Sequence, residues 1–176
     1  MNMFEKKDYL IVVDMQNDFI TGSLGSAEAQ AIVPAVVDFV KTFDKDNMFF
    51  TRDTHYENYM ETQEGKNLPV KHCINGTEGW KVIPQLTSEF NPLYIDKETF
   101  GFSNWGKIFL DDSSEINSIT LCGVCTDICV ISNALILKAL FPEVIIRVKE
   151  DCCAGVNVER HTAAIETMKS CQIEII

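Results

Sequence analysis

The sequence predicts an α/β fold, a three-layer sandwich in which helices flank both faces of a six-stranded, mostly parallel sheet. Short apolar runs alternate along the chain with segments of helical periodicity, which is the pattern of consecutive strand–helix–strand units. The first run, YLIVVDM at residues 9–15, is apolar without alternation, as expected for a strand buried on both faces. Both observations favour a parallel sheet over an antiparallel one, in which one face commonly meets water.

The order of the predicted elements follows from these runs. The strands are predicted at 9–15, 47–53, 92–97, 118–124, 143–150 and 172–176, and the helices at 27–43, 104–111, 126–140 and 158–169. Residues 54–80 lack a clear period, and so long an irregular stretch inside a compact domain is usually functional. No repeat, low-complexity tract or linker interrupts the chain, so we predict a single domain over residues 1–176.

Charge and composition narrow the class of protein. The 176-residue chain has a formal net charge of −11 and a pI near 4.6. This charge repels nucleic-acid backbones and anionic membrane surfaces, so we expect neither as a partner. No apolar run has the length of a membrane span, and the short run LIVV near the start does not match a secretion signal. We therefore expect a cytoplasmic protein with reduced cysteines, available for catalysis or metal binding.

The segment LCGVCTDICV at 121–130 places three cysteines where a strand is followed by a helix. Cys122 lies within the apolar strand, and we interpret it as a small buried hydrophobic residue. Cys129 falls in the first turn of the helix, where backbone N–H groups and the helix dipole favour a thiolate and can bind an oxyanion. Cys129 is therefore the best candidate for a nucleophile, although buried apolar cysteines are about as common at such positions.

Two other interpretations use the same cysteines. Cys122 and Cys125 have the spacing of a thiol–disulfide pair, but in such proteins the first cysteine begins the helix instead of lying in the strand. A zinc site needs about four ligands, usually including a second CxxC pair, which this chain lacks. A single nucleophilic cysteine is the stronger hypothesis.

Two charged residues lie at the ends of predicted strands, at the sheet edge where parallel α/β proteins bind their ligands. Asp14 is placed to take a thiol proton and return it to a leaving amine; the alternative is a turn-capping role. Lys97 would favour both anions, although in isolation it would be interpreted as a surface lysine. His161 lies in a predicted helix, and we interpret it as a packing or surface residue.

The irregular segment contains a candidate metal site. Asp53 and His55 are two residues apart in an extended stretch, so their side chains point to the same side. Together with His72 and one acidic residue of the loop, they would supply ligands for a divalent metal. The acidic candidates are Glu57, Glu61 and Glu64. The alternative is a polar surface loop without a metal.

Five short motifs together resemble a known family. IVVDMQNDF, TRDTH, KHCINGTEG, DKETF and GVCTDICV are similar to those of the isochorismatase-like cysteine hydrolases, and most of all to the nicotinamidase/pyrazinamidase branch. The resemblance extends from about residue 8 to residue 155. It implies a parallel six-stranded sheet flanked by helices, and it implies hydrolysis of nicotinamide to nicotinate and ammonia through a cysteine thioester.

The resemblance also implies roles for single residues. Asp14, Lys97 and Cys129 match the catalytic acid/base, the lysine and the nucleophile of the family. The Val124–Cys125 bond matches a cis peptide, and the backbone N–H groups of Cys125 and Cys129 match the oxyanion hole. The implied ligands of one divalent metal, with zinc preferred over manganese or iron, are Asp53, His55, Glu64 and His72.

The sequence departs from the branch in the run LPVKH, where relatives carry an aromatic residue and two prolines. The aromatic wall of the substrate pocket must then come from elsewhere, and the candidates are Phe19, Phe100, Phe102 and Trp105. We expect a small amide as the substrate and a homo-oligomer as the assembly. The alternatives are an amidase for another small amide or ureido compound, a thiol–disulfide protein using its CxxC pair, and a non-catalytic member of the fold.

Overall fold

Six parallel strands form the centre of the molecule in the computed structural model, which describes residues 6–88, 90, 92–109 and 114–176. The strands are β1 Lys7–Val13, β2 Met48–Asp53, β3 Leu93–Lys97, β4 Ile116–Val124, β5 Ile145–Ala154 and β6 Glu174–Ile175. Their order across the sheet is β3-β2-β1-β4-β5-β6, and every neighbouring pair is parallel. The predicted fold class is confirmed, and the sheet is entirely parallel.

Helices connect the strands. They are α1 Asn17–Ile20, α2 Ala27–Ala31, α3 Val33–Val40, α4 Gln63–Asn67, α5 Pro84–Thr87, α6 Trp105–Phe109, α7 Ile131–Leu140 and α8 Val158–Ser170, with 3₁₀ turns at Lys45–Asn47 and Tyr59–Glu61 and a π-helical turn at Thr126–Val130. Within these described segments, no helix combines the length and the apolar character that crossing a bilayer requires.

Several predicted helices differ from those observed. The helix predicted at 27–43 is two helices, α2 and α3, because Pro34 has no N–H to donate back to the carbonyl of Gln30. The helix predicted at 126–140 begins with the π-helical turn before α7, and the irregular segment 54–80 contains α4. The helix predicted at 104–111 is α6, and the end of that prediction lies outside the described residues.

The strand order opens a crevice at the carboxyl ends of β1 and β4. The chain leaves β1 towards β2 on one side and leaves β4 towards β5 on the other, so the two connections diverge. A reversal of this kind is where doubly wound sheets bind ligands. Asp14 follows β1 directly, and Cys125 follows β4 directly.

Gly123 allows β1 and β4 to approach closely at this edge. Its φ is +113°, and an added Cβ would overlap the carbonyl oxygen of Val13, its partner across the sheet. Asp14, which follows Val13 in the chain, also has a left-handed backbone, with φ of +48°. The close approach brings Asp14 next to the cysteine-containing turn that follows β4.

Candidate active site

Asp14, Lys97 and Cys129 meet in the crevice although they come from three separate elements. The Lys97 Nζ atom lies 2.6 Å from Oδ2 of Asp14 and 3.7 Å from Sγ of Cys129. All three are buried, with exposed fractions of 0%, 2% and 5% for Asp14, Lys97 and Cys129. Lys97 reaches the other two from β3 across β2, where its register partner is Asp53. The structure therefore brings together the three residues that the sequence predicts to act together.

Burial dominates the ionisation of this group. It raises the pKa of the Asp14 carboxyl, although Lys97 acts to lower it. It also raises the pKa of the Cys129 thiol, again against Lys97. Lys97 is the exception, because Asp14, Cys129 and Asp53 outweigh its burial and raise its pKa. Desolvation of Cys129 therefore works against the thiolate that the helix start is expected to favour, and Lys97 offsets only part of that effect.

The backbone around the cysteines is irregular at the point where an oxyanion would bind. The Val124–Cys125 peptide bond is cis, at the position that the resemblance implies. The carbonyl of Cys125 accepts hydrogen bonds from the N–H groups of Ile128 (3.1 Å) and Val130 (3.0 Å). In an α-helix this carbonyl would accept from the N–H of Cys129. In the π-helical turn this carbonyl instead accepts from Ile128 and Val130, so the N–H of Cys129 does not donate to it.

The second cluster consists of Asp53, His55, Glu64 and His72, whose ligand atoms all lie within 4.8 Å of one another. Nε2 of His55 is 2.9 Å from Oδ2 of Asp53 and 3.5 Å from Oε1 of Glu64. Nε2 of His72 is 3.5 Å and 3.7 Å from the same two oxygens. Ligands of a tetrahedral ion with bonds of about 2.1 Å are about 3.4 Å apart, so the spacing fits one metal ion.

The protonation of the cluster also fits a cation. Nδ1 of His72 lies 2.8 Å from the carbonyl oxygen of Val70, which directs the lone pair of Nε2 towards the carboxylates. The buried Nε2 of His55 has no partner with hydrogen-bond geometry. Burial opposes the charge of Asp53, but the neighbouring His55 and His72 rings and the charge of Lys97 hold the pKa of its carboxyl well below the usual range. Against its own burial, His55 has a pKa raised to about 9 by Asp53 and Glu64, so the cluster favours positive charge.

Two residues that the sequence analysis did not single out hold the end of β2 and the segment after it in place. Gln16 is fully buried; its Nε2 donates to the carbonyl of Asp53 (2.8 Å), and its Oε1 accepts from the N–H of Asp53 (2.7 Å). Tyr59 packs its ring on His55 and His72, with ring centroids 4.7 and 5.1 Å apart, and its hydroxyl donates to the carbonyl of Leu68 (2.8 Å). Gln16 lies within the motif DMQNDF, but no local pattern indicates such distant partners.

One cavity of about 330 Å³ connects the two clusters. Its walls are mainly apolar, and they include Cys129 together with three members of the metal cluster. The lining residues are Phe19, Leu24, Ser26, Ala29, Asp53, Glu64, Leu68, His72, Phe100, Cys125, Ile128, Cys129, Gly155, Val156 and Arg160. A wider cavity of about 1000 Å³ at the amino ends of the strands contains none of the predicted site residues.

Only two of the four aromatic residues predicted for the pocket wall line this cavity. Phe19 and Phe100 do, whereas Phe102 and Trp105 do not. Trp105 is fully buried and packs on the core residues Phe49 and Phe109, and Phe102 stacks edge-on against Trp105. The prediction for these two residues is corrected because the start of α6 turns both rings onto the core.

Three further residues near the nucleophile, Cys122, His161 and Asp127, have packing or hydrogen-bonding roles. Cys122 is fully buried in β4, and burial raises the pKa of its thiol, which agrees with a packing role. His161 is half-buried, and its Nδ1 lies 2.9 Å from the hydroxyl of Thr126. Asp127 accepts a hydrogen bond from the N–H of Val156 (2.9 Å). These contacts tie the turn after β4 to the connection between β5 and α8.

Comparison with known proteins assigns the class. A sequence model of the isochorismatase domain matches residues 8–176, and the chain belongs to the isochorismatase family of hydrolases. The nicotinamidase/pyrazinamidase of Mycobacterium tuberculosis is 26% identical over 187 aligned residues, covering 95% of this chain and 97% of that protein. The pyrazinamidase of Pyrococcus horikoshii, solved in complex with zinc, superposes with a TM-score of 0.80 at 30% identity and covers 97% of this chain and 98% of its own. The nicotinamidase PncA of Bacillus subtilis has a TM-score of 0.83 at 25% identity, over 96% and 98% of the two chains.

Proposed function

We propose that the protein hydrolyses nicotinamide to nicotinate and ammonia. The observation that carries the proposal is that Cys129 and members of a four-residue metal cluster line one small, mainly apolar cavity. This arrangement suits a flat heteroaromatic ring with a carboxamide at one end. Similarity to nicotinamidases and pyrazinamidases over nearly the whole chain supports the same substrate class.

In the first half-reaction, Asp14 takes the thiol proton of Cys129 while the sulfur attacks the carboxamide carbon. A carboxylate whose pKa is raised by burial is a stronger base than an exposed one, which offsets the raised pKa of the thiol. The C–S bond forms, the carbonyl π electrons move to oxygen, and the N–H groups of Cys125 and Cys129 stabilise that oxyanion. The C–N bond then breaks, Asp14 protonates the departing ammonia, and a thioester stays on Cys129.

In the second half-reaction, Asp14 takes a proton from water as the oxygen attacks the thioester carbon. The C–S bond breaks, the sulfur recovers the proton from Asp14, and nicotinate is released. Lys97 keeps its charge throughout, since its contacts with Asp14 and Cys129 stabilise whichever of the two is anionic.

Asp53, His55, Glu64 and His72 would hold one divalent cation, for which mixed nitrogen and oxygen ligands suit zinc first and manganese or iron as alternatives. When bound, the ion would supply a Lewis acid for the ring nitrogen of the substrate. The protein's own contribution is to place these four side chains beside the cavity and to keep the carboxylate of Asp53 ionised.

Ammonia release from nicotinamide tests the proposal directly. We expect Cys129→Ala to abolish release, because the variant has no nucleophile. Cys122→Ala is the matched control: it removes a buried thiol from the same strand–turn unit and should keep activity. Full activity in Cys129→Ala would contradict the assigned nucleophile, and loss of activity only in Cys122→Ala would favour the thiol–disulfide hypothesis.

Arg160 favours a second candidate, hydrolysis of an amide or ureido compound that carries a carboxylate. Arg160 lines the cavity of Cys129, and within the described part of the chain its guanidinium has neither a hydrogen bond nor an ion pair. Guanidinium groups bind carboxylates with two parallel hydrogen bonds. Under this candidate the wild type hydrolyses N-carbamoylglycine faster than nicotinamide, and Arg160→Gln raises KM for N-carbamoylglycine alone. Equal KM values in variant and wild type exclude it.

A further inference from the structure

Asn133, in the first turn of α7, is fully buried, and its side chain contacts two separate parts of the site. Its Nδ2 donates to the carbonyl oxygen of Cys129 (2.8 Å) and to that of Phe100 (3.2 Å). Its Oδ1 accepts from the N–H of Phe102 (2.9 Å) and from the indole Nε1 of Trp105 (2.8 Å). A primary amide offers two donors and two acceptor sites, and Asn133 uses all of them.

These bonds join the backbone of the candidate nucleophile to one wall of the cavity. Cys129 lies in the π-helical turn, where the regular α-helical hydrogen-bond ladder is interrupted. Phe100 belongs to the connection between β3 and α6, and its ring lines the cavity. Lys97 ends β3 at the start of the same connection. The amide of Asn133 is thus a direct link between the turn that carries the thiol and the connection that carries the wall.

We propose that Asn133 is a positioning residue that sets the distance between the nucleophile and the Phe100 wall of the cavity. The proposal rests on the role assigned to Cys129 but not on which amide is the substrate. Only a primary amide of this length satisfies two carbonyl groups and two N–H groups from one buried position. A carboxylate has no hydrogen to donate, and an aliphatic residue removes the side-chain partner of all four polar groups.

Two variants separate the two parts of the link. In Asn133→Thr, the hydroxyl can still donate to the carbonyl four residues earlier, that of Cys129, but it cannot reach the Phe100–Trp105 connection. In Asn133→Asp, the oxygen that accepts from Phe102 and Trp105 is kept, but the ionised side chain donates to neither Cys129 nor Phe100. The measurements are kcat and KM for the amide that the wild type hydrolyses, and the rate at which iodoacetamide alkylates Cys129, followed by peptide mass spectrometry.

We expect Asn133→Thr to raise KM roughly tenfold with the alkylation rate nearly unchanged, since the wall moves and the thiol does not. We expect Asn133→Asp to lower kcat by roughly tenfold or more and to change the alkylation rate by a similar factor. The control is Ile146→Val, a substitution in β5 that removes a buried methylene group far from the site.

A merely structural role for Asn133 predicts a different result. Its variants would then melt at a lower temperature than the wild type, as we expect of Ile146→Val. Well below that melting temperature, kcat, KM and the alkylation rate would each stay within about twofold of the wild-type value, the factor that corresponds to a free-energy change of about 0.5 kcal/mol. That result would overturn the proposal. The alkylation assay does not depend on the substrate, so failure of the wild type to hydrolyse nicotinamide contradicts the proposed function and leaves the test of Asn133 intact.

Discussion

Asp14 and Lys97 lie at or directly after strand ends and Cys129 lies in the turn that follows β4, whereas Glu64 and His72 lie on the irregular segment between β2 and α5. The first group is positioned by the hydrogen-bonded sheet, in which β1 pairs with both β2 and β4. The second depends on side-chain contacts such as those of Gln16 and Tyr59. We infer that the sheet holds the reacting groups in a rigid frame, while the loop supplies Glu64 and His72 to the metal cluster and depends on its own internal contacts.

We expect the largest effect on activity when Asp14, the proton carrier among the residues positioned by the sheet, is replaced. Asp14→Asn removes the only base that we assign to both half-reactions and leaves Lys97 without its closest anion. Loss of a proton-transfer group typically costs about 10²- to 10⁴-fold in rate, and we expect kcat to fall within or beyond that range. The control is Asp8→Asn at the opposite end of β1, which should keep kcat. An Asp14→Asn variant with a kcat near that of the wild type would exclude the proposed proton carrier.

The second effect concerns the pH dependence of the thiol in the protein without substrate. Burial raises the pKa of Cys129 above its ordinary value of 9.0, so the thiolate fraction rises with pH throughout the neutral range. We expect the alkylation rate of Cys129 to increase about tenfold per pH unit from pH 7 to pH 9, without a plateau. A plateau below pH 8 would show that the helix start and Lys97 outweigh burial, and Cys129 would then rest as a thiolate.

The two regions also differ in how far the sequence predicted them. The alternation of apolar runs and helical segments predicted the strands, because that pattern reports burial on both faces of a parallel sheet. The position at the end of a strand then pointed to Asp14 and Lys97. The order of the strands did not follow from local pattern, since it depends on pairing between residues far apart, such as Val12 with Cys122. The fourth member of the metal cluster, Glu64, rested on resemblance, because loop spacing does not determine which acid faces the histidines.

The sequence analysis was wrong about two aromatic residues and missed one buried amide, and each error has a physical reason. Phe102 and Trp105 were candidates for the pocket wall as aromatic residues, but the sequence does not show which way a ring turns. Asn133 was missed, although one sequence signal could have found it. It is the lone amide in the apolar run ISNALILKAL, and a buried polar group of this kind needs partners.

The next effect tests the loop. Glu64→Gln removes one charged ligand, and we expect zinc affinity to fall about 10- to 100-fold, the range seen when the support of a metal ligand is lost. The matched control is Glu57→Gln, an exposed acid of the same loop that pairs with Lys71 instead of the histidines. Zinc titration followed by calorimetry, together with kcat/KM after chelation, gives the readout. Equal zinc affinity in the two variants would place the metal elsewhere, and unchanged activity after complete chelation would remove its role in the reaction.

The smallest effect concerns the hydrogen bond that closes the loop. Tyr59→Phe keeps the ring that packs on His55 and His72 but loses the hydroxyl that donates to the carbonyl of Leu68. Loss of one such bond costs about 1 kcal/mol, which corresponds to a fall in Tm of about 2–4 °C for a chain of this size. If the loop depends on its internal contacts, zinc affinity falls while the alkylation rate of Cys129 stays that of the wild type. A parallel change in both would show that the loop and the sheet edge form one coupled unit, and the distinction between a rigid frame and a separately held loop would be wrong.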